Sequence, residues 1–141
     1  MQYLRMLLRA SRLRRVGRYQ LEAALQSAHV ERCRGGRTDW TPEVQLYDAL
    51  LVLCGSPVVA LNRALAIAEL QGPQAALGII DALAADGRLV DDQPYWAARA
   101  ALLARTHACG DARHAFDIAI GLAGDPAGRR FLQGRQAALP G

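Results

Sequence analysis

The sequence predicts an all-α protein, an array of about eight short helices paired as antiparallel α-hairpins. Three observations carry this. Alanine and leucine dominate while aromatic residues make up 6% of the chain, a composition that favours helix over strand. Five of the six prolines (Pro42, Pro57, Pro73, Pro94 and Pro126) stand at predicted helix starts, where a missing N–H costs nothing. The intervening turns are short, so neighbouring helices are expected to run antiparallel and share an apolar face. At 141 residues the chain is expected to form one domain that buries roughly two thirds of its unfolded surface.

The first helix is expected over residues 2–15, with Tyr3, Met6, Leu7, Ala10 and Leu13 on one face and Arg5, Arg9 and Arg12 on the other. Gly17 is expected to break it. A second helix runs from Tyr19 to Cys33, its apolar face made by Leu21, Ala24, Leu25 and Ala28, and RGGRT (Arg34–Thr38) reads as a loop. Thr41-Pro42 reads as a cap followed by proline at the first helical position. The third helix it opens is expected to be largely buried through Val44, Leu46, Tyr47, Leu50, Leu51 and Leu53, and Gly55 stops it.

Ser56-Pro57 repeats the start signal and opens the central pair. Val58, Leu61, Ala64, Leu65 and Ala68 recur at helical spacing, Gln71-Gly72 ends that helix, and Pro73 starts the next, striped by Ala76, Leu77, Ile80 and Leu83. An Asp- and Gly-rich turn follows. Pro94 opens a sixth helix to His107, Gly110-Asp111 a seventh with Ala115, Ile118, Ala119 and Leu122 inward, and Asp125-Pro126 a last one to Leu139. The expected core comprises Leu50, Leu61, Leu65, Leu77, Ile80, Leu102 and Ile118.

Helix, glycine, helix recurs around Gly72 and Gly110, 38 residues apart, against ~34 for a tetratricopeptide repeat. Aligning Gly110 with the repeat's turn glycine puts Leu102 and Ala115 on its leucine and alanine positions. The aromatic positions are mostly unfilled, so the repeats are degenerate. The expected architecture is a tetratricopeptide-like right-handed superhelix. Residues 1–37 form a basic helix pair and 38–141 the degenerate hairpins with a terminal capping helix.

Charge is unevenly spread. Residues 1–37 hold nine Arg against two Glu, a net of +7, and residues 38–141 eight Arg against eleven acids, a net of −3. All 17 basic residues are Arg, which fits a GC-rich genome. No aromatic residues interleave with the basic ones as a single-strand platform requires. Arg5, Arg9, Arg12, Arg14, Arg15 and Arg18 are therefore expected to give at most weak, salt-sensitive, non-specific contact with nucleic acid. Cys33, Cys54 and Cys109 are odd in number and widely spaced, a reducing-compartment pattern rather than a disulfide framework. No apolar run approaches membrane-span length and the N-terminus has no signal-peptide core, so the expected location is the cytoplasm.

Little points to catalysis. No nucleophile motif, phosphate-binding glycine loop or dinucleotide fingerprint is present, and the chain is not expected to be an enzyme or to hold a cofactor. His29 and Cys33, four apart on one helix, have a spacing two metal ligands can use, but no second pair lies nearby and Cys33 reads better as a core residue. His107, Cys109 and His114 cluster at a turn without carboxylates, a poor metal site. Asp91 and Asp92 before Pro94 read as a helix cap. Asn62 and Arg63 stand out inside the most apolar helix, where a polar group must find a partner or face water. Arg63 is expected to point outward or pair with an acid. Asn62 is expected either to bind a neighbouring turn or to contact a partner.

Three stretches together resemble one family: GRYQLEAALQSAHVE (Gly17–Glu31), TDW with LYDALL (Thr38–Trp40, Leu46–Leu51), and SPVVALNRALAIAELQGPQAAL (Ser56–Leu77). They are similar to the C-terminal, tetratricopeptide-like extension of a group of bacterial extracytoplasmic-function sigma factors, as is GDARHAFDIAIGLAGDPAGRRFL (Gly110–Leu132). The resemblance implies a regulatory domain that modulates transcription initiation through contacts with the sigma regions of the same protein, with RNA polymerase, or with a regulator. It also implies that the core-binding and promoter-reading regions lie outside these residues, so the chain is expected to correspond to the extension alone. The alternative is a free-standing adaptor that binds a peptide in a concave groove. With Gly72 and Gly110 as turn glycines, Val59, Asn62, Ala66 and Glu69 are expected to line that groove from one hairpin and Ala97, Ala100, Ala104 and His107 from the next.

Overall fold

The computed structural model describes the backbone of residues 2–35 and 39–141, and the side chains of Arg15, 17–35 and 39–141. The described residues form seven α-helices, one 3-10 turn and no strand: α1 (Gln2–Gly35), α2 (Thr41–Cys54), α3 (Pro57–Gln71), α4 (Pro73–Leu83), a 3-10 turn at Gly87–Leu89, α5 (Gln93–Arg105), α6 (Cys109–Leu122) and α7 (Pro126–Ala137).

The expected break at Gly17 does not occur. α1 is one helix of 34 residues, about 51 Å long at 1.5 Å per residue. A mid-helix glycine costs only about 1 kcal/mol relative to alanine, which tertiary packing readily offsets. Gly17 faces α2, where an added Cβ would stand 3.5 Å from Leu53 Cδ1. The described residues therefore form seven helices where about eight are expected. Arg34 and Gly35 of the expected loop belong to α1, and residues 36–38 lie outside the described ones.

The proline signals hold, with shifts of one residue. Asp92 Oδ2 accepts from Tyr95 N–H at 3.0 Å, and Asp125 Oδ2 from Gly128 N–H at 3.2 Å, so both aspartates cap the helices they precede. At α2 the expected Thr41 cap is itself the first helical residue. Asp39 Oδ1 accepts its N–H at 3.0 Å from two residues upstream. Gly72, at φ +99° and ψ 163°, makes the α3–α4 turn in a region that side chains rarely enter.

The α5–α6 turn corrects the repeat alignment. Gly110 lies in the first turn of α6, not at the turn's left-handed position. That position is His107, at φ +64°. His107 N–H donates to Ala104 O at 3.1 Å and Ala108 N–H to Leu103 O at 3.0 Å, the pair of bonds that closes a helix in a Schellman motif.

The chain divides into two compact units, Met1–Ala66 and Ile67–Gly141, with the division inside α3. In the first, α1 packs on α2. A buried ion pair ties them, since Arg32 Nε donates to Glu43 Oε1 at 3.3 Å and Glu43 is only 4% exposed. In the second unit α5 and α6 make the principal packing, with α4 against α5 and α7 against α6. Ala98, Ala100, Ala112, Ala115 and Ala119 are buried there, small enough for close approach of helix backbones, and Ile80, Leu102 and Phe116 are its largest fully buried side chains.

Of the expected core, Leu50, Leu61, Leu77, Ile80 and Leu102 are buried. Ile118 is half-buried and Leu65 is 36% exposed. In α2, expected to be largely buried, Val44, Leu46, Tyr47, Leu51 and Leu53 are only half-buried, because α1 covers one side. α3 is apolar on nearly every side, so its periodicity does not choose a face. The stripe that faces water is Val58, Asn62, Leu65 and Glu69, at helical spacing.

Candidate functional site

The first unit holds an open groove of about 740 Å³. The α1 wall runs from Arg18 to Gln26, Tyr47 and Leu50 of α2 contribute to the floor, and Ser56, Val58, Val59 and Asn62 form the far side. Leu50 and Val59 are buried in its base, while Tyr19 and Val58 are 73% and 52% exposed on its rim. Two large apolar groups left in water beside an apolar floor make a surface suited to a partner.

Its polar groups come from both walls. Arg18 Nε donates to Glu22 Oε1 at 3.1 Å, an i,i+4 pair along α1. Burial, reinforced by the Glu43 carboxylate, pushes the Tyr47 hydroxyl above its ordinary value, so at neutral pH it remains a donor. Asn62 is exposed on α3 and makes no hydrogen bond among the described residues. Its neighbour Arg63 turns away and pairs with Asp48, the arrangement expected for it.

The structure separates the residues expected to line a concave groove. Asn62 lies in the groove of the first unit. Ala66 and Ala100 are 2% and 0% exposed, so neither can touch a partner. Val59 too is buried. The lining expected on α3 is off by a fraction of a turn, and the water-facing line shares only Asn62 and Glu69 with it. Glu69 is exposed and accepts from Arg105 Nη1 at 3.3 Å. Ala104 and Ala97 are half-buried. His107 is exposed, and its place is fixed by the helix stop it makes. Sequence reasoning missed Tyr19 and Val58. In the sequence Tyr19 stands at an expected helix start and Val58 on the apolar stripe of the central helix, and neither position signals the exposure found here.

The side chains of Arg5, Arg9, Arg12 and Arg14 lie outside the described residues, and Arg15 is exposed. Cys33 is exposed rather than in the core. His29 Nδ1 takes a hydrogen bond from Arg32 Nη2 at 2.8 Å, and its Nε2 lies 3.8 Å from Cys33 Sγ. His107 and His114 are exposed and Cys109 half-buried. Among the described residues no three His, Cys, Asp or Glu side chains gather in a group able to hold a metal ion, and no helix is long and apolar enough to cross a membrane.

No described protein family matches the chain, and no solved structure matches it. Over 120 residues, 85% of its length, the chain is 42% identical to a protein of Rhizobium meliloti (strain 1021) described as uncharacterized. The match spans 28% of that protein, so the chain corresponds to well under a third of the relative's length.

Proposed function

We propose that this chain is the regulatory interaction domain of a bacterial extracytoplasmic-function sigma factor, and that the groove of its first unit is the working surface. Its architecture is read as a degenerate tetratricopeptide-like array. The α5–α6 hairpin, closed by three residues, is the element that most favours this. The observation that carries the functional reading is the groove itself: an apolar floor, two exposed apolar side chains, Tyr19 and Val58, and the unpaired amide of Asn62. The sequence resemblance supplies the partner class, namely the sigma regions of the same protein or RNA polymerase. The match to a segment of a much longer relative fits a domain that works within a larger chain. No catalysis is assigned, the location is the cytoplasm, and any nucleic-acid contact is weak and lost with added salt.

The direct test is the DNA upstream of the Met1 codon. In-frame core-binding and promoter-reading regions are expected there. A stop codon followed by a separate ribosome-binding site would instead favour the free-standing adaptor.

A further inference from the structure

The groove's polar groups say what kind of segment it takes, an inference that rests on the reading of the groove as an interaction surface. Of the lining's polar groups one is a cation, the Arg18 guanidinium; the amides of Gln26 and Asn62 and the hydroxyls of Tyr19, Tyr47 and Ser56 both donate and accept. Its one carboxylate, Glu22, is already engaged by Arg18 through a single nitrogen, Nε, which leaves the other guanidinium N–H groups free to donate.

Arg15 extends the same wall. Residues 15, 18, 19 and 22 share one face of α1 at helical spacing. Arg15 is exposed and makes no ion pair among the described residues. One end of the groove is therefore basic and uncompensated, while its floor (Leu25, Leu50 and Val59) is apolar. The α1 wall from Arg18 to Gln26 is about 12 Å long, enough for two turns of a docked helix.

We infer that the groove binds an acidic amphipathic helix. Its apolar face packs against the exposed Tyr19 and Val58 and the half-buried Leu25, and its carboxylates face Arg15 and Arg18. Charge complementarity selects this occupant over a basic segment, which would set like charges together at the Arg15 end.

The probe is a fluorescein-labelled synthetic helix with leucines at i, i+3, i+4 and i+7 and glutamates flanking them. A second peptide carries lysine at every glutamate. Anisotropy titrations of the full chain are expected to show saturable binding of the acidic peptide, at least about tenfold tighter than the basic one, equivalent to ~1.4 kcal/mol. The preference should shrink as salt is raised. Val58→Arg places a long side chain across the seat of the helix. Measured in raised salt, where its added charge is screened, it should abolish binding without unfolding the protein, checked by circular dichroism. Arg15→Glu with Arg18→Glu should reverse the preference between the peptides. No saturable binding of the acidic peptide, equal binding of the two, or binding untouched by Val58→Arg would overturn the inference. If Val58→Arg impairs the longer protein while the two peptides bind equally, the groove still works but its acid preference is gone.

Discussion

Arg32 lies over Trp40, its guanidinium carbon 3.5 Å from the ring centroid. The same group donates to the buried Glu43 carboxylate and to His29 Nδ1. One side chain thus joins the end of α1, the residue before α2 and the first turn of α2. Glu43 Oε2 is buried without a hydrogen-bond partner among the described residues, so Arg32 is the cation that keeps this carboxylate tolerable. Arg32→Ala would strand it. Breaking a buried pair from one side costs about 3–5 kcal/mol, and urea unfolding should show a loss of that order. The added change Glu43→Gln, which removes the stranded charge, should restore part of it.

Leu61 and Leu65 lie one turn apart on α3, yet Leu61 is 2% exposed and Leu65 36%. Leu61→Ala should cost about 2–5 kcal/mol as a core truncation. Leu65→Ala should cost less than about 1 kcal/mol, as for a partly exposed site. Equal losses in paired denaturant melts would mean that the water-facing side of α3 is misassigned.

Gly17 and His107 occupy positions each would suit better if exchanged in kind. Gly17 is helical, and a Cβ there meets Leu53 at an ordinary 3.5 Å. Gly17→Ala should therefore stabilise by up to about 1 kcal/mol. His107 holds a left-handed φ of +64°, where glycine carries no Cβ penalty, and His107→Gly should stabilise by a similar amount. Thermal melts of both variants should move upward. A fall in Tm for Gly17→Ala would indicate overpacking against α2.

Much of this fold is legible in the residues. Proline placement marks five of the seven helices of the described residues to within one residue. Pro57, Pro73 and Pro126 open α3, α4 and α7 directly, while Pro42 and Pro94 are second residues of α2 and α5. Asp111 similarly marks the first turn of α6. What misleads is single glycines. Gly17 costs too little to stop a helix that has a neighbour to pack on, and Gly110 sits three residues past the position that needs left-handed backbone. The candidate site is less legible. Alanines recur all round α3, so the sequence does not say which side is covered, and Ala64 and Ala66 are both buried. Asn62 could be singled out because a polar residue in an apolar helix must face something. Tyr19 could not, because an aromatic on an amphipathic helix ordinarily reads as core.

Tyr47 gives the groove a titration signature. Its hydroxyl is held above the ordinary tyrosine value of 10.0, by burial first and by Glu43 second. A group whose folded value is raised contributes stability at pH below its unfolded value and loses it as pH climbs through the folded one. Unfolding free energy should thus decline above about pH 10, and less steeply in Tyr47→Phe. Ultraviolet difference titration of the wild type against Tyr47→Phe should show the Tyr47 phenolate forming above the ordinary value of 10.0. Ionisation of Tyr47 at or below that value would contradict the burial assigned to it.

The proposed role of the groove is tested most directly by transcription from the target promoter, using the longer protein proposed here to be a sigma factor, with and without Val58→Arg. Val58 is half-exposed on the groove rim, so the substitution fills the surface and leaves the core intact, unlike any change at the buried Ala66. A correctly folded variant is expected to alter transcript yield by about tenfold, the effect of ~1.4 kcal/mol of lost binding. A folded Val58→Arg protein that transcribes like the wild type would show that the groove is not the working surface.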